Sequence, residues 1–349
     1  MVAHMKVLKW LKKHLVVIII PLIYFALSYC QKTKILNAYI IQVIILSCIN
    51  IMLTEALNLV NGMTGQNSLG HAGFMGAGAY FACILSTLVF KVGSMAPALQ
   101  TVMFVLVTIA GGLFAALCGL IVGIPTLRLK GDYLAIVTLG FGEVIRVIIR
   151  MMQIVDGARG FSGIPKLSGL FWAYALMILV IYVCRNMMDS AYGRACMAIR
   201  DNEIAANAMG INPTKYKIIA FVTSAFIAGM AGSVYGHTMR FLHPDVFAYT
   251  KSTDLLVYLY AGGVGSISGA FLGALCLTVL PEIMRFLADW RLVIYGLLLV
   301  VIILFRQTGL FGGREFAFLN IRTGGIKQTS IFNLFRRNKN KASDEGGAV

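Results

Sequence analysis

The sequence predicts an all-α polytopic membrane protein, and three observations predict it. Of the 349 residues, 59% are hydrophobic and only 13% charged, whereas a soluble chain devotes about a quarter of its residues to charge. The apolar residues gather into about ten runs, each near the roughly 20 residues that cross a bilayer. The 30 Lys and Arg outweigh the 14 Asp and Glu to give +16, which in such a chain is read by the positive-inside rule. A basic soluble protein would point to nucleic acid, but no zinc-finger spacing, helix-turn-helix pattern or RNA-binding signature occurs, and no nucleic-acid partner is expected.

The runs fall at about 15–30, 37–60, 72–90, 99–123, 133–152, 169–187, 215–238, 254–264, 266–287 and 292–306. The first follows Lys6, Lys9, Lys12 and Lys13 and looks like a signal peptide, or a lipoprotein signal ending at Cys30. Tyr29 fits poorly where cleavage needs a small residue, and further spans follow. The segment reads as an uncleaved first helix with a cytoplasmic N-terminus. With each run crossing once, the turn holding Arg128 and Lys130, the loop 188–214 and the tail 307–349 all come out cytoplasmic. The tail carries Arg314, Arg322, Lys327, Arg336, Arg337, Lys339 and Lys341 against Glu315, Asp344 and Glu345, an excess that favours ten crossings over nine. The loop 153–168, with Arg159 and Lys166, falls outside and runs against the rule. The expected organisation is a transmembrane domain over 1–312 and a basic, disordered cytoplasmic tail over 313–349.

Two glycine-rich interruptions echo one another. The short run 254–264 leads into Gly262-Gly263-Val264-Gly265-Ser266-Ile267-Ser268-Gly269, the pattern of a broken helix, which membranes tolerate only where protein or a cavity covers it. Ser68–Ala79 and Gly263–Ala274 are both Gly/Ala/Ser-rich and both lead into a span. Paired interruptions in two related halves point to a substrate pathway near the midplane; close helix packing by small residues accounts for the same glycines equally well. The candidate pathway residues are Asn67, Ser68, Gly70, His71, Glu143, Gly263 and Gly265.

The longest loop between runs carries the most mechanism. Ile204, Ala205, Ala208 and Met209 recur at helical spacing, with Asn202, Glu203 and Asn207 on the other side. Asp201 or Asn202 suits an N-cap and Gly210 a left-handed stop. Asn212 and Pro213 then suit the cap and first turn of the next helix. An interfacial helix carries Trp, Phe or Leu with a Lys/Arg-rich polar face; alanine and acid-amide side chains fit a protein groove better. The segment reads as a short docking helix.

This loop resembles the Glu-Ala-Ala coupling segment of ABC importer permeases, here Glu203-Ile204-Ala205-Ala206 followed by Gly210. Leu57-Asn58-Leu59 before Gly65–Phe74, the block Leu129–Arg146, Gly157–Pro165 and Gly262–Gly269 resemble branched-chain amino acid permeases of the LivM type. The resemblance runs from about residue 40 to 312, and the Leu129–Arg146 block with the 193–210 loop makes it specific. It implies an inner-membrane permease subunit for import of leucine, isoleucine and valine. Gly193, Arg194, Arg200, Asp201, Glu203, Ala205, Ala206 and Gly210 would form its ATPase-coupling loop. The implied partners are two ABC ATPase subunits, a homologous second permease, an extracytoplasmic amino-acid-binding protein and membrane lipid. No G-x-x-x-x-G-K-[ST] occurs in the sequence, so ATP and Mg are expected on the partner ATPase and no cofactor on this chain.

Charges inside spans need a reason. Glu143 and Arg146 share a helix face and read as an internal ion pair or as pathway residues, while Glu55 has no basic residue within four positions. His71 reads as a packing histidine or a substrate contact. The seven cysteines form no C-x-x-C pair and read as packing residues. The five histidines show no H-x-x-x-H, and no serine sits in G-x-S-x-G. No enzymatic activity and no bound metal are expected, although His237, His243 and Asp245 fall together near an external loop. A sugar or nucleoside permease of the same superfamily is the nearest rival, and an ion-coupled secondary transporter the next.

Overall fold

The computed structural model describes residues 37–127 and 131–290, with isolated positions beyond them. Ten α-helices follow one another in this region. They are α1 Ala38–Asn58, α2 His71–Ile84, α3 Pro97–Thr126, α4 Asp132–Met151, α5 Leu170–Asp189, α6 Ala191–Asp201, α7 Glu203–Ala208, α8 Pro213–Met239, α9 Tyr249–Gly262 and α10 Ile267–Ile283. Two spans end in π-helical turns, α1 at Leu59–Met63 and α2 at Leu85–Val89. No strand occurs among the described residues; a single antiparallel bridge pairs Phe161 with Leu242.

Among the described residues six helices are long and apolar enough to cross a membrane: Ala38–Met63, His71–Val89, Pro97–Thr126, Leu170–Asp189, Pro213–Met239 and Ile267–Phe286. Six of the ten runs thus form helices of spanning length and apolarity. The run 133–152 does form α4, but Glu143, Arg146 and Arg150 interrupt its apolar surface. The run 254–264 belongs to a helix that begins earlier, at Tyr249, and has 14 residues, about 21 Å at 1.5 Å per residue and short of a ~30 Å hydrocarbon core. The runs 15–30 and 292–306, the tail 313–349 and the boundary at 312 lie outside the described residues, apart from isolated positions.

Proline and asparagine explain the helix starts. Pro97 and Pro213 occupy first-turn positions, where the missing N–H would have no intrahelical partner anyway. Asn212 accepts from the Lys215 amide at 3.3 Å. Helix α8 is the hub, packed against α1, α2 and α3. It has no polar stripe because it is surrounded: from Ala220 to His237 most of its residues are buried.

Small residues set the helix spacing there. A Cβ on Gly78 would lie 2.3 Å from the Gly229 Cα, and one on Gly232 would lie 2.1 Å from the Met75 carbonyl oxygen. Membrane helices associate through such close backbone approach, because lipid removes the hydrophobic drive between them. Buried polar groups add cross-links. His237 Nε2 lies 2.9 Å from Ser86 Oγ and Nδ1 lies 2.8 Å from the Ser233 carbonyl. His237 is thus a satisfied histidine inside α8 rather than part of an external loop with His243.

Gly78→Val is expected to destabilise the bundle by at least roughly 1–3 kcal/mol through overpacking. Thermal unfolding in detergent checks this; an unchanged midpoint would contradict the assigned α2–α8 contact.

Candidate functional site

Two interrupted helices meet at one end of the bundle. After α1 unwinds through Leu59–Met63, residues 64–70 run without helix until α2 begins at His71. The second break, residues 263–266, joins α9 to α10 and holds Gly263 at φ 126° and Gly265 at φ 81°. Both values suit glycine alone. Asn58 ties the breaks together: its Nδ2 donates to the Ser266 carbonyl at 3.2 Å, and its Oδ1 accepts from the Gly265 amide at 2.9 Å.

The first break is filled by its own polar groups. The Ser68 amide donates to Asn61 Oδ1 at 3.1 Å, and the Leu69 amide to Thr138 Oγ1 at 3.1 Å. Ser68 Oγ lies 3.3 Å from His71 Nδ1, and His71 Nε2 lies 2.6 Å from Ser224 Oγ. Ser224 in turn donates to the Ala56 carbonyl. Ser68 and His71 are fully buried, so this pair brackets the break as packing. Gly70 lies against α4, where a Cβ would sit 2.5 Å from the Thr138 carbonyl oxygen. Of the candidate pathway residues in this break only Asn67 is exposed; its Oδ1 lies 3.5 Å from the Tyr260 hydroxyl.

The segment 190–212 attaches at this same end. Sequence reading treats it as a loop with one short helix, whereas the chain forms two, α6 and α7, divided at Asn202. Ser190 caps α6 by accepting from the Gly193 amide at 3.2 Å. Gly193 has no room for a side chain, since a Cβ would lie 2.2 Å from the Met188 carbonyl oxygen. Arg194 donates to the Asp189 carbonyl at 3.0 Å. Tyr192 donates to the Tyr216 carbonyl, and burial pushes both the Tyr192 phenol and the Cys196 thiol above their ordinary values. Helix α7 is capped by Asn202, which accepts from the Ala205 amide at 3.0 Å, and stopped by Gly210 at φ 84°.

Two side chains fasten this segment to the bundle. Arg200 donates to the Gly62 carbonyl at 2.9 Å, and its aliphatic stem fills the space where Gly65 lacks a side chain. Arg200 also touches Asp201 at 3.3 Å. Glu203 meets Lys217 Nζ at 2.9 Å in α8, and Ala206 is buried beneath α7. Ile204 and Met209 are left 80% and 82% exposed, with Ala205 and Ala208 exposed beside them. A polar cavity of about 190 Å³ lies at the junction, lined by Thr64, Gln66, Asn67, Arg200, Glu203 and Lys217 among others.

Glu143 stands apart from this cluster. It bridges Arg146 at 2.7 Å and accepts from the Tyr249 amide at 2.8 Å, while Arg146 reaches Asp245 at 2.9 Å. Its carboxylate sits at the start of α9, where an anion complements the helix dipole. The pair therefore braces α4 against the 244–249 turn. His243 contacts Asp245 at 3.5 Å, and no metal-holding group of three or more His, Cys, Asp or Glu occurs among the described residues. Sequence reading gave no role to Asn58 or Lys217. Lys217, at the head of its apolar run and two residues after Lys215, reads there as an ordinary basic flank; Asn58 offered no signal beyond its place before the break.

A family model described as the branched-chain amino acid transport system / permease component matches residues 39–303. The chain is 32% identical over 305 residues to the high-affinity branched-chain amino acid transport system permease protein LivM of Escherichia coli, covering 77% of this chain and 69% of that one. It is 26% identical over 230 residues to the probable branched-chain amino acid transport permease protein LivM of Methanocaldococcus jannaschii, covering 57% and 66%. It is 25% identical over 223 residues to the autoinducer 2 import system permease protein LsrC of Yersinia pseudotuberculosis, covering 56% and 61%. No solved structure matches the chain.

Asn202→Ala removes the α7 cap and is expected to weaken that helix by about 1 kcal/mol. Amide exchange of residues 205–209 should accelerate roughly fivefold, with α8 unaffected. Unchanged exchange would show that packing, not the cap, holds α7.

Proposed function

Because the chain belongs to the branched-chain amino acid transport system / permease component family, we propose that it is the inner-membrane permease subunit of an ATP-driven importer for leucine, isoleucine and valine. A separate pair of ABC ATPase subunits supplies the energy, with ATP and Mg bound on those chains. A second, homologous permease completes the path, and an extracytoplasmic binding protein delivers the amino acid. Segment 190–212 and both termini face the cytoplasm.

One observation carries the ATPase assignment: α7 is fixed from beneath and bare on top. Its caps, the Glu203–Lys217 ion pair and the Arg200 bond to Gly62 hold its inner side. Its outer side presents Ile204, Ala205, Ala208 and Met209, all exposed, with no other described residue covering them. Such a face buries favourably in a groove on another protein, at about 25 cal/mol per Å² of apolar surface removed from water.

The anchors make this face a lever. Glu203 pulls on the start of α8, and Arg200 pulls on the end of α1. Closure of the ATPase pair would shift α7 as a rigid body and carry both spans with it, a change of access of the hinge type. The cavity at the junction gives the moving side chains room.

A second reading concerns the solute. A sugar or nucleoside is the alternative cargo, supported by a match at 25% identity to an autoinducer 2 import permease, a relative whose name specifies no branched-chain amino acid.

Uptake of radiolabelled leucine by cells with and without this chain separates the two. Loss of high-affinity uptake, competed by isoleucine and valine but not by ribose or a nucleoside, is expected. Unchanged uptake in a host lacking redundant systems would overturn the amino-acid assignment. For coupling, the Ile204→Asp/Met209→Asp double variant should reach the membrane at normal levels and transport at least about tenfold more slowly. Normal transport by it would remove α7 as the docking element.

A further inference from the structure

The outer surfaces of the spans are not alike. On α3 every exposed residue between 102 and 124 is Val, Leu or Ile, a surface suited to acyl chains. Helix α9 instead exposes Tyr249, Thr253, Asp254, Tyr260 and, just past its end, Val264. Asn67 stands beside Tyr260.

The depth of this surface follows from one bond. Lys251 Nζ donates to Asn50 Oδ1 at 2.8 Å, and Asn50 is the middle of the 26-residue span Ala38–Met63. Asn50 also donates to Thr278 of α10 at 3.0 Å. A cation is therefore seated near mid-membrane, with an exposed carboxylate three residues along the same helix. An ionisable side chain at that depth faces a bundle interior or a water-filled route, because acyl chains cannot solvate it. Among the described residues, Lys251 and Asp254 close no salt bridge with each other or with any other side chain, although their charges interact at longer range.

We propose that Asp254, exposed on α9, and Lys251, half-buried behind it, form a dipolar contact for the main-chain charges of a passing amino acid. Asp254 meets the α-ammonium group and Lys251 the α-carboxylate. The assignment rests on the reading of this chain as an amino-acid permease and adds where the zwitterion is held. Carrying an unshielded zwitterion through a low-dielectric passage is costly, because each charge loses its water. Opposite charges three residues apart on one helix face offset both losses at once. Lys251 keeps further N–H groups after bonding Asn50. The apolar side chain needs no dedicated partner here, so leucine, isoleucine and valine pass alike.

The test is ATP-driven leucine uptake by the complete importer in proteoliposomes. Asp254→Asn should lower uptake at least about tenfold, and Asp254→Glu, which keeps the charge, should restore most of it. An Asp254→Cys chain in a Cys276→Ser background should react with a charged, membrane-impermeant methanethiosulfonate, and leucine-loaded binding protein with ATP should slow that reaction. Wild-type uptake by Asp254→Asn, equal losses in the Asn and Glu variants, or reaction only with a lipid-soluble reagent would each overturn the contact. Absence of leucine uptake by the wild-type complex would instead overturn the amino-acid reading beneath it.

Discussion

Asn58 accepts from the Gly265 amide and donates to the Ser266 carbonyl, and the arrangement of this end of the bundle depends on that pair of bonds. Backbone groups at membrane depth must find partners inside the protein. A helix that stops there exposes carbonyls, and one that starts there exposes amides. By bonding the Gly265 amide, and the Ser266 carbonyl that also takes the Ala270 amide, the Asn58 side chain of α1 fixes the loop between α9 and α10. Arg200 repeats the device from the other direction, offering its guanidinium to the Gly62 carbonyl. The two interruptions are thereby joined to each other and to segment 190–212 through a few directional bonds. Directional bonds can be exchanged without loss of packing, which is what a moving junction requires.

The rest of the bundle is built to stay still. Where α2, α3 and α8 cross, Gly78, Gly111, Gly229 and Gly232 admit no side chain, and the backbones touch. Thr108 and Ser233 are 3.0 Å apart across the same seam. At the far side, Glu143, Arg146 and Asp245 fix α4 to the start of α9. The molecule thus has a rigid seam of small residues and a polar junction at one end. On the proposed reading, a force applied at α7 would enter through that junction.

Much of this was legible in the sequence because it is local. Apolar runs mark spans, and Asn202, Gly210, Asn212 and Pro213 mark helix ends by rules that involve only near neighbours. What failed was either too polar or too distant. Helix α9 begins at Tyr249, five residues before its apolar run, because Lys251, Ser252, Thr253 and Asp254 hide its start from any hydropathy reading. Helix α6 escapes a periodicity reading because Gly193 and Arg194 dilute its buried face of Ala195, Cys196 and Ile199. The π turns at Leu59–Met63 and Leu85–Val89 have no residue signature. Pairings such as Glu143 with the Tyr249 amide cross the fold, and periodicity gives a residue's face but not its partner. The glycines of both breaks were recognised, yet their role divides: Gly263 and Gly265 serve backbone conformation, whereas Gly70 serves contact with α4.

The central claim is that the bare face of α7 is covered by an ATPase subunit. A photo-crosslinking residue placed at Met209 in the assembled, membrane-embedded complex tests it directly. The account expects a single dominant adduct with the ATPase subunit, reduced when nucleotide changes the state of that subunit. Adducts with lipid alone, or with no protein at all, would contradict it and return α7 to the membrane surface.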